Sequence, residues 1–185
     1  MINSMRKYKY LIVTLLFIIL CHFSFAQSVS SESATASVNL ISPIKIEQKS
    51  DLNFGNIVKS ADGQQGFVEI DALTGGVTYT GTSTVGENTV SRASFVVSGN
   101  VGSTYSITIA DVGGSNQLNR VTLTRDGGTE TMTAELNHSK AGDESFVISS
   151  NENDNYVYVG GKLALSADQV VGSYQGSFTV TVAYQ

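Results

Sequence analysis

The chain has 185 residues, 41% hydrophobic and 15% charged, with 11 Lys and Arg against 16 Asp and Glu, a formal net charge of −5. That balance, with no basic cluster beyond the first ten residues, works against nucleic acid or anionic lipid head groups as partners. A single Cys excludes an internal disulfide, so a stable domain has to come from its core, and 18 Gly against one Pro and no Trp point to many tight turns.

At the start of the chain, Arg6, Lys7 and Lys9 precede an apolar run at 11–20 broken only by Thr14, and Ser24-Phe25-Ala26 supplies small residues for cleavage. Residues 1–26 are therefore expected to be a secretory signal, cut after Ala26. The alternative is a membrane anchor, but the apolar run is short for a span and no second one follows, so no membrane span is expected after cleavage. Cys21 follows Leu20 where a lipoprotein signal has a small residue, which leaves a lipid anchor open as a variant. Cleavage would leave 8 basic against 16 acidic residues, a net charge of −8.

Residues 27–36 are small and polar and read as a flexible leader. Ala34, Ala36, Val38 and Leu40 share one side of an extended chain, and Pro43 lacks a backbone donor, so strands are expected at 37–41 and 44–48 with a break between them. In Asp51-Leu52-Asn53-Phe54-Gly55-Asn56-Ile57, Leu52 and Phe54 point inward and Gly55 marks a bend or bulge. Further strands are expected at 67–70, 77–80, 93–98 and 103–110, separated by turns at Asp62-Gly63, Gly75-Gly76, Gly81, Gly86 and Gly99. Strands at 121–124 and 130–135 flank Asp126-Gly127-Gly128, a hairpin signal. A polar loop at 151–155 separates 146–149 from 156–159, and Gly160-Gly161 is expected to turn the chain into 162–166.

The final stretch, 173–185, has the clearest alternation. Phe178, Val180, Val182 and Tyr184 fall on one side and Ser177, Thr179, Thr181 and Ala183 on the other. Burying the first set contributes roughly 6–12 kcal/mol, and fixing about seven backbones costs roughly 7–14 kcal/mol. The near cancellation requires a larger sheet around this strand, and because no strand follows it in the sequence, its far edge needs a cover. No window after residue 26 has sustained helical periodicity, so 37–185 is expected to form a single all-β antiparallel sandwich.

The 51–57 motif, Ala93-Ser94-Phe95-Val96-Val97-Ser98-Gly99, Tyr158-Val159-Gly160-Gly161-Lys162-Leu163 and the closing run from Gly172 to Tyr184 resemble a family of exported bacterial domains of unknown function. That family is itself similar to the spore coat protein U domain and to the fimbrial subunits of chaperone-usher pili. The resemblance implies an immunoglobulin-like, pilin-like sandwich lacking its last strand, whose groove a neighbour's N-terminal extension fills. Fimbrial subunits end in an alternating strand with a penultimate aromatic and a glycine about a dozen residues before it; here Tyr184 is penultimate and Gly172 lies fourteenth from the end. The implied strand-pairing edge is Gly172, Phe178, Val180, Val182 and Tyr184, and the implied donor is Ala34, Ala36, Val38 and Leu40. Like subunits or a periplasmic chaperone are the implied partners. The chain departs from those relatives in having no cysteine after the signal, and the alternative is that 37–46 forms the first strands of its own closed sandwich.

Material for catalysis is scarce. Asn137-His138-Ser139 reads as a surface loop with a solvated histidine. No Gly-x-Ser-x-Gly elbow or phosphate loop with its lysine occurs, and Gly99-Asn100-Val101-Gly102-Ser103-Thr104 reads as a hairpin turn. Asp143 with Glu144 and Glu152 with Asp154 are the carboxylate pairs a glycoside hydrolase would need. Residues 151–155 alternate oxygen ligands, but Tyr156 and Lys162 stand where a calcium loop has glycine and glutamate. Tyr79, Tyr105, Tyr156, Tyr158, Tyr174 and Tyr184 suit a core with hydroxyls at its rim better than a sugar platform. The expectation is a secreted or cell-surface structural or adhesive protein, not an enzyme, with no cofactor or metal. A self-contained module binding glycan or matrix is the alternative, and a glycoside hydrolase the third reading.

Overall fold

The computed structural model describes residues 2–20, 28–59, 63–112, 118–140 and 146–185. The chain forms two compact units, Met1–Asn39 and Leu40–Gln185. In the first, a helix, α1, spans Ile2–Leu20, and residues 28–39 are exposed without strand pairing. Among the described residues no helix is long and apolar enough to cross a membrane. Cys21 and the expected cleavage point at Ala26 lie outside the described residues.

The second unit is an antiparallel β-sandwich. Its strands are β1 Lys45–Ser50, β2 Asn53–Lys59, β3 Gly66–Ile70, β4 Val77–Thr80, β5 Thr82–Ser91, β6 Ala93–Ser98 and β7 Thr104–Asp111. They continue with β8 Arg120–Arg125, β9 Thr131–His138, β10 Phe146–Val147, β11 Tyr156–Leu165, β12 Tyr174–Gln175 and β13 Phe178–Tyr184. A large sheet runs β1-β6-β11-β9-β8-β12, with β3 also paired to β11 and β4 outside β3. Because β9 takes one edge of β11, β6 pairs with its first half through Tyr156–Val159 and β3 with its second through Gly161–Leu165 on the other. Against this sheet lie a small sheet, β10-β7-β13, and a two-stranded ribbon, β2-β5. Val97, Val157, Val159, Ala134 and Leu136 of the large sheet are buried in one core with Tyr105, Ile109, Phe146 and Val180 of the small one.

The alternation expected of β13 is what the structure has: Val180 is buried, Phe178, Val182 and Tyr184 are half-buried, and Thr179, Thr181 and Ala183 are exposed. Phe54 is buried and Gly55 takes φ 78° where the β2–β5 register slips, so the bulge is real. The Asp126-Gly127-Gly128 hairpin joins β8 to β9, with Gly127 at φ 70°.

Several expectations change. Gly160-Gly161 is no turn: both residues sit inside β11, which runs straight through them. A Cβ on Gly160 would meet the Ile70 carbonyl and the Ala72 amide, and one on Gly161 the Glu135 carbonyl, so these glycines mark close backbone approach inside a strand. Gly86 likewise lies within β5, a polar strand whose Ser, Thr and Asn content hid it. Gly99-Asn100-Val101-Gly102 does not close a hairpin but carries the chain from the large sheet to the small one. The Ser103 amide donates to the Asn100 carbonyl at 3.1 Å, with Gly102 at φ 84°, the geometry of a type II turn.

Residues 37–41 form no strand; Val38 and Leu40 are 90% and 93% exposed. Ala34 and Ala36 bury too little area to hold the segment on a sheet, and Pro43 breaks continuity with β1. The polar 151–155 segment winds as a single 3-10 turn, Glu152–Asn155, in which the buried Asn155 side chain accepts from the Ser149 amide and donates to its carbonyl. That use of Asn155, and the Ser149 hydroxyl donating to Asp154 at 3.1 Å, explain the run of polar residues without a cation.

Asp111 ties the two layers together. It is 4% exposed at the end of β7, and its carboxylate accepts from the Thr122 hydroxyl at 2.9 Å and the Thr122 amide at 3.3 Å on β8. Asp111→Ala strands these donors and is expected to cost about 2–3 kcal/mol, with Asp111→Asn recovering part of it. Urea titration of the two variants measures the difference.

Candidate strand-pairing edge and cleft

In the stretch 173–185 the chain changes sheets. Tyr174 and Gln175 pair with β8 in the large sheet, Gly176 passes against the Thr122 carbonyl where a Cβ would collide, and β13 then joins the small sheet beside β7. β13 is the last strand of that sheet, so one long edge has no strand beside it among the described residues.

The hydrogen-bond phase of that edge follows from the ladder. The Val112 amide donates to the Ser177 carbonyl and the Gln185 amide to the Thr104 carbonyl, both at 3.1 Å, and both pairs lie in the register of β13 on β7. Hydrogen-bonded pairs alternate in an antiparallel ladder, so Thr179, Thr181 and Ala183 also bond to β7. The amides and carbonyls of Phe178, Val180, Val182 and Tyr184 therefore face the open edge. The four residues that turn their side chains to the core are the ones whose backbones are presented outward.

β13 also lacks the usual edge protection. Its sequence, Phe-Thr-Val-Thr-Val-Ala-Tyr, contains no charge, no proline and no glycine, whereas β1, the edge of the large sheet, carries Lys45, Glu47 and Lys49. The end of β13 is anchored by Tyr184, whose hydroxyl donates to the Ser42 carbonyl and accepts from the Asn100 amide, both at 2.7 Å. Gly99 leaves room for it, since a Cβ there would strike the Tyr184 hydroxyl.

At the Phe178 end a cleft of about 810 Å³ opens between β2 on one wall and the 169–178 segment on the other. Leu123, Met132, Leu163 and Leu165 of the large sheet line it together with Phe95, so core side chains are reachable there. Lys59 donates to the Gln169 carbonyl at 2.7 Å across the opening. Gly172, at φ 154°, passes over the Arg125 side chain, which leaves 2.9 Å between Cδ and the position of a Cβ. Arg125 is held by Glu130 at 2.7 Å, and this pairing keeps the Glu130 carboxyl below its ordinary range.

Of the residues singled out in the sequence, Gly172 and Phe178 line the cleft, while Val180, Val182 and Tyr184 continue along the edge. Ala34, Ala36, Val38 and Leu40 are exposed and belong to no strand. Sequence patterns did not reveal Leu123, Met132, Leu163 and Leu165 as a cleft lining, because each reads simply as an inward strand residue. Asp143 and Glu144 lie outside the described residues. Glu152 and Asp154 are exposed on the 3-10 turn, and among the described residues no group of three or more His, Cys, Asp or Glu could hold a metal ion. Residues 44–184 match the model of a family described as Domain of unknown function (DUF4402). The chain belongs to that family. A search of curated proteins found no match.

The DUF4402 domain thus spans the sandwich from just before β1 to the end of β13. Its one histidine is no solvated loop residue: His138 closes β9, half-buried, with its ring edge-on to Phe146 at 5.9 Å and its Nδ1 buried without a hydrogen-bond partner among the described residues. Sequence placed it in a polar run; the strand extends three residues further than the apolar pattern. Burial lowers its pKa from the usual 6.5. A group with a depressed folded pKa contributes stability above its unfolded pKa that is lost as pH falls. Thermal stability of the domain is expected to fall from about pH 6.5 downward, levelling below the folded pKa. His138→Gln removes this step but leaves the separate acid-range loss from Asp71 and Glu130, whose pKa values are lowered by hydrogen bonds to Thr74 and Arg125. Scanning calorimetry from pH 8 to 3 on both proteins separates the two.

Proposed function

We propose that the chain is an exported, non-enzymatic structural or adhesive subunit of the cell surface, with an immunoglobulin-like, pilin-like sandwich that works by strand addition. The observation that carries this reading is the unprotected edge of β13, seven uncharged residues long, beside a cleft into the core. A partner strand there would gain main-chain hydrogen bonds from Phe178, Val180, Val182 and Tyr184 and place alternate apolar side chains over Phe95, Leu123 and Leu165. The exposed 34–40 segment of another copy, or a periplasmic chaperone, is the proposed source. The similarity of the sequence to spore coat protein U and fimbrial subunits supports it, and the basic and apolar start of the chain supports export.

Removing residues 34–41 from the full chain is the test. The intact protein is expected to form a ladder of oligomers in size-exclusion chromatography and native gels, and the deleted one to remain a folded monomer. Equal monomeric behaviour and equal cooperativity of both would overturn the reading.

One observation favours the second reading, a self-contained binding module. Tyr156 and Tyr158 stack at 5.8 Å on the outer side of the large sheet, and Arg92 lies 3.6 Å over the Tyr158 ring. Such a platform suits sugar rings. Glycan-array binding that disappears in Tyr156→Ala would support it; an array without signal counts against it.

A further inference from the structure

The outer side of the small sheet has a chemistry unlike the rest of this acidic protein. The three strands β10, β7 and β13 contain one charged residue, Asp111, and it is buried facing the other way. Outward lie Thr108, Thr179 and Thr181, all exposed. On the same side lie three large apolar side chains: Val112 and Val147, by their strand parity, and Leu118, which bridges outward Ala110. They are 59%, 54% and 62% exposed respectively. Flat, uncharged, small-residue surface around exposed apolar side chains is the mark of an interaction face.

We infer that this face is a lateral contact between copies of the chain, pairing the small sheet of one copy with that of another about a two-fold axis through Thr108. Charge selects the occupant. With a net charge of −5, two copies repel over most of their surfaces, and this side is where approach is least opposed. Shape agrees, since a self-complementary face of threonine, serine and alanine lets two sheets lie flat with no large side chain between their centres. Area sets the strength. The strands are two, eight and seven residues long, and at about 3.4 Å per residue and about 4.8 Å between strands they give roughly 280 Å² per copy, or about 550 Å² in a pair, well below the roughly 1,200 Å² of stable complexes. A single contact is therefore weak and becomes effective when copies are already linked in series, where contacts add along the assembly. In that role the inference rests on the strand-addition reading, whose donor would extend the same face with Thr35, Ser37 and Asn39. The contact itself does not need the donor.

The test uses the scarcity of cysteine. In the full chain carrying Cys21→Ser and secreted by a bacterial host, Thr108→Cys places one thiol at the centre of the face. Thr133→Cys, an exposed threonine on the outer side of β9, is the matched control. A bismaleimide with a reach of about 10 Å, the spacing of stacked sheets, is expected to give at least about tenfold more covalent dimer at position 108 than at 133. Adding Thr181→Lys to the Thr108→Cys chain is expected to bring the yield down to that of the control. Equal yields at the two positions overturn the inference. The same pair of thiols in the chain lacking 34–41 separates the two ideas. Selective linkage at 108 that survives the deletion, when the intact chain forms no serial oligomers either, leaves the lateral face standing and removes strand addition. Serial oligomers of the intact chain without selectivity at 108 do the reverse.

Discussion

Ala183→Pro is expected to destabilise the sandwich by about 2–4 kcal/mol, while Val182→Pro, one residue earlier, leaves it folded but unable to accept a strand. The difference comes from the phase of the β13 ladder. Ala183 is paired with Ser106 at a hydrogen-bonded position, so proline there deletes a bond to β7 and forces its ring into the ladder. The Val182 amide points to the open edge, where proline is tolerated by the fold. Its side chain is only half-buried, so losing part of it costs about 1 kcal/mol. An incoming strand, however, would meet a missing donor and a ring in the middle of the edge. Chemical denaturation reads the first effect and oligomer formation the second. If both variants unfold equally, the assigned phase is wrong; if Val182→Pro assembles like the parent, β13 is not the pairing edge.

Gly160→Val should be severely damaging, costing more than about 3 kcal/mol and leaving little folded protein. β11 is bounded by β9 on one side and by β6 and β3 on the other, and the 70–72 backbone crosses close to Gly160. A Cβ there would lie 2.7 Å from the Ala72 amide and closer still to the Ile70 carbonyl, and neither is the end of a side chain that can turn aside. Gly102 makes the contrast. A Cβ there meets nothing within 4 Å, so Gly102→Ala carries only the penalty of φ 84°, about 1–2 kcal/mol. Circular dichroism melts of both variants check the order, and a Gly160→Val protein as stable as Gly102→Ala would contradict the close approach.

The strand-addition reading makes one feature of the chain intelligible. A seven-residue edge without charge or proline is a hazard that folded proteins normally blunt, and β1 shows the usual remedy in Lys45 and Lys49. Leaving β13 bare is consistent with an edge meant to be covered. Tyr184, fixed between Ser42 and Asn100, holds that edge straight at one end, and the sheet change at Gly176 sets its other end above the cleft.

Period-two alternation was enough to read β13 and β7 from residues alone, because each turns one side to the core and the other outward, and the side chains record that difference. The same signal determined that the domain is an antiparallel β-sandwich and that Leu52 and Phe54 face inward around a bulge at Gly55. It misplaced Gly160-Gly161, because a glycine that bends the chain and one that admits a neighbouring backbone are the same letter; only the strands packed on β11 distinguish them. It missed β5, whose polar sequence shows no apolar alternation, and it overextended to 37–41, where alternation exists but no strand forms. The cleft and the phase of the β13 edge lay wholly beyond it. They depend on which strands end a sheet and which residues of distant segments, such as Lys59 and Gln169 or Tyr184 and Ser42, come together. Such long-range pairings are set by the packing of whole layers, not by any local run of residues.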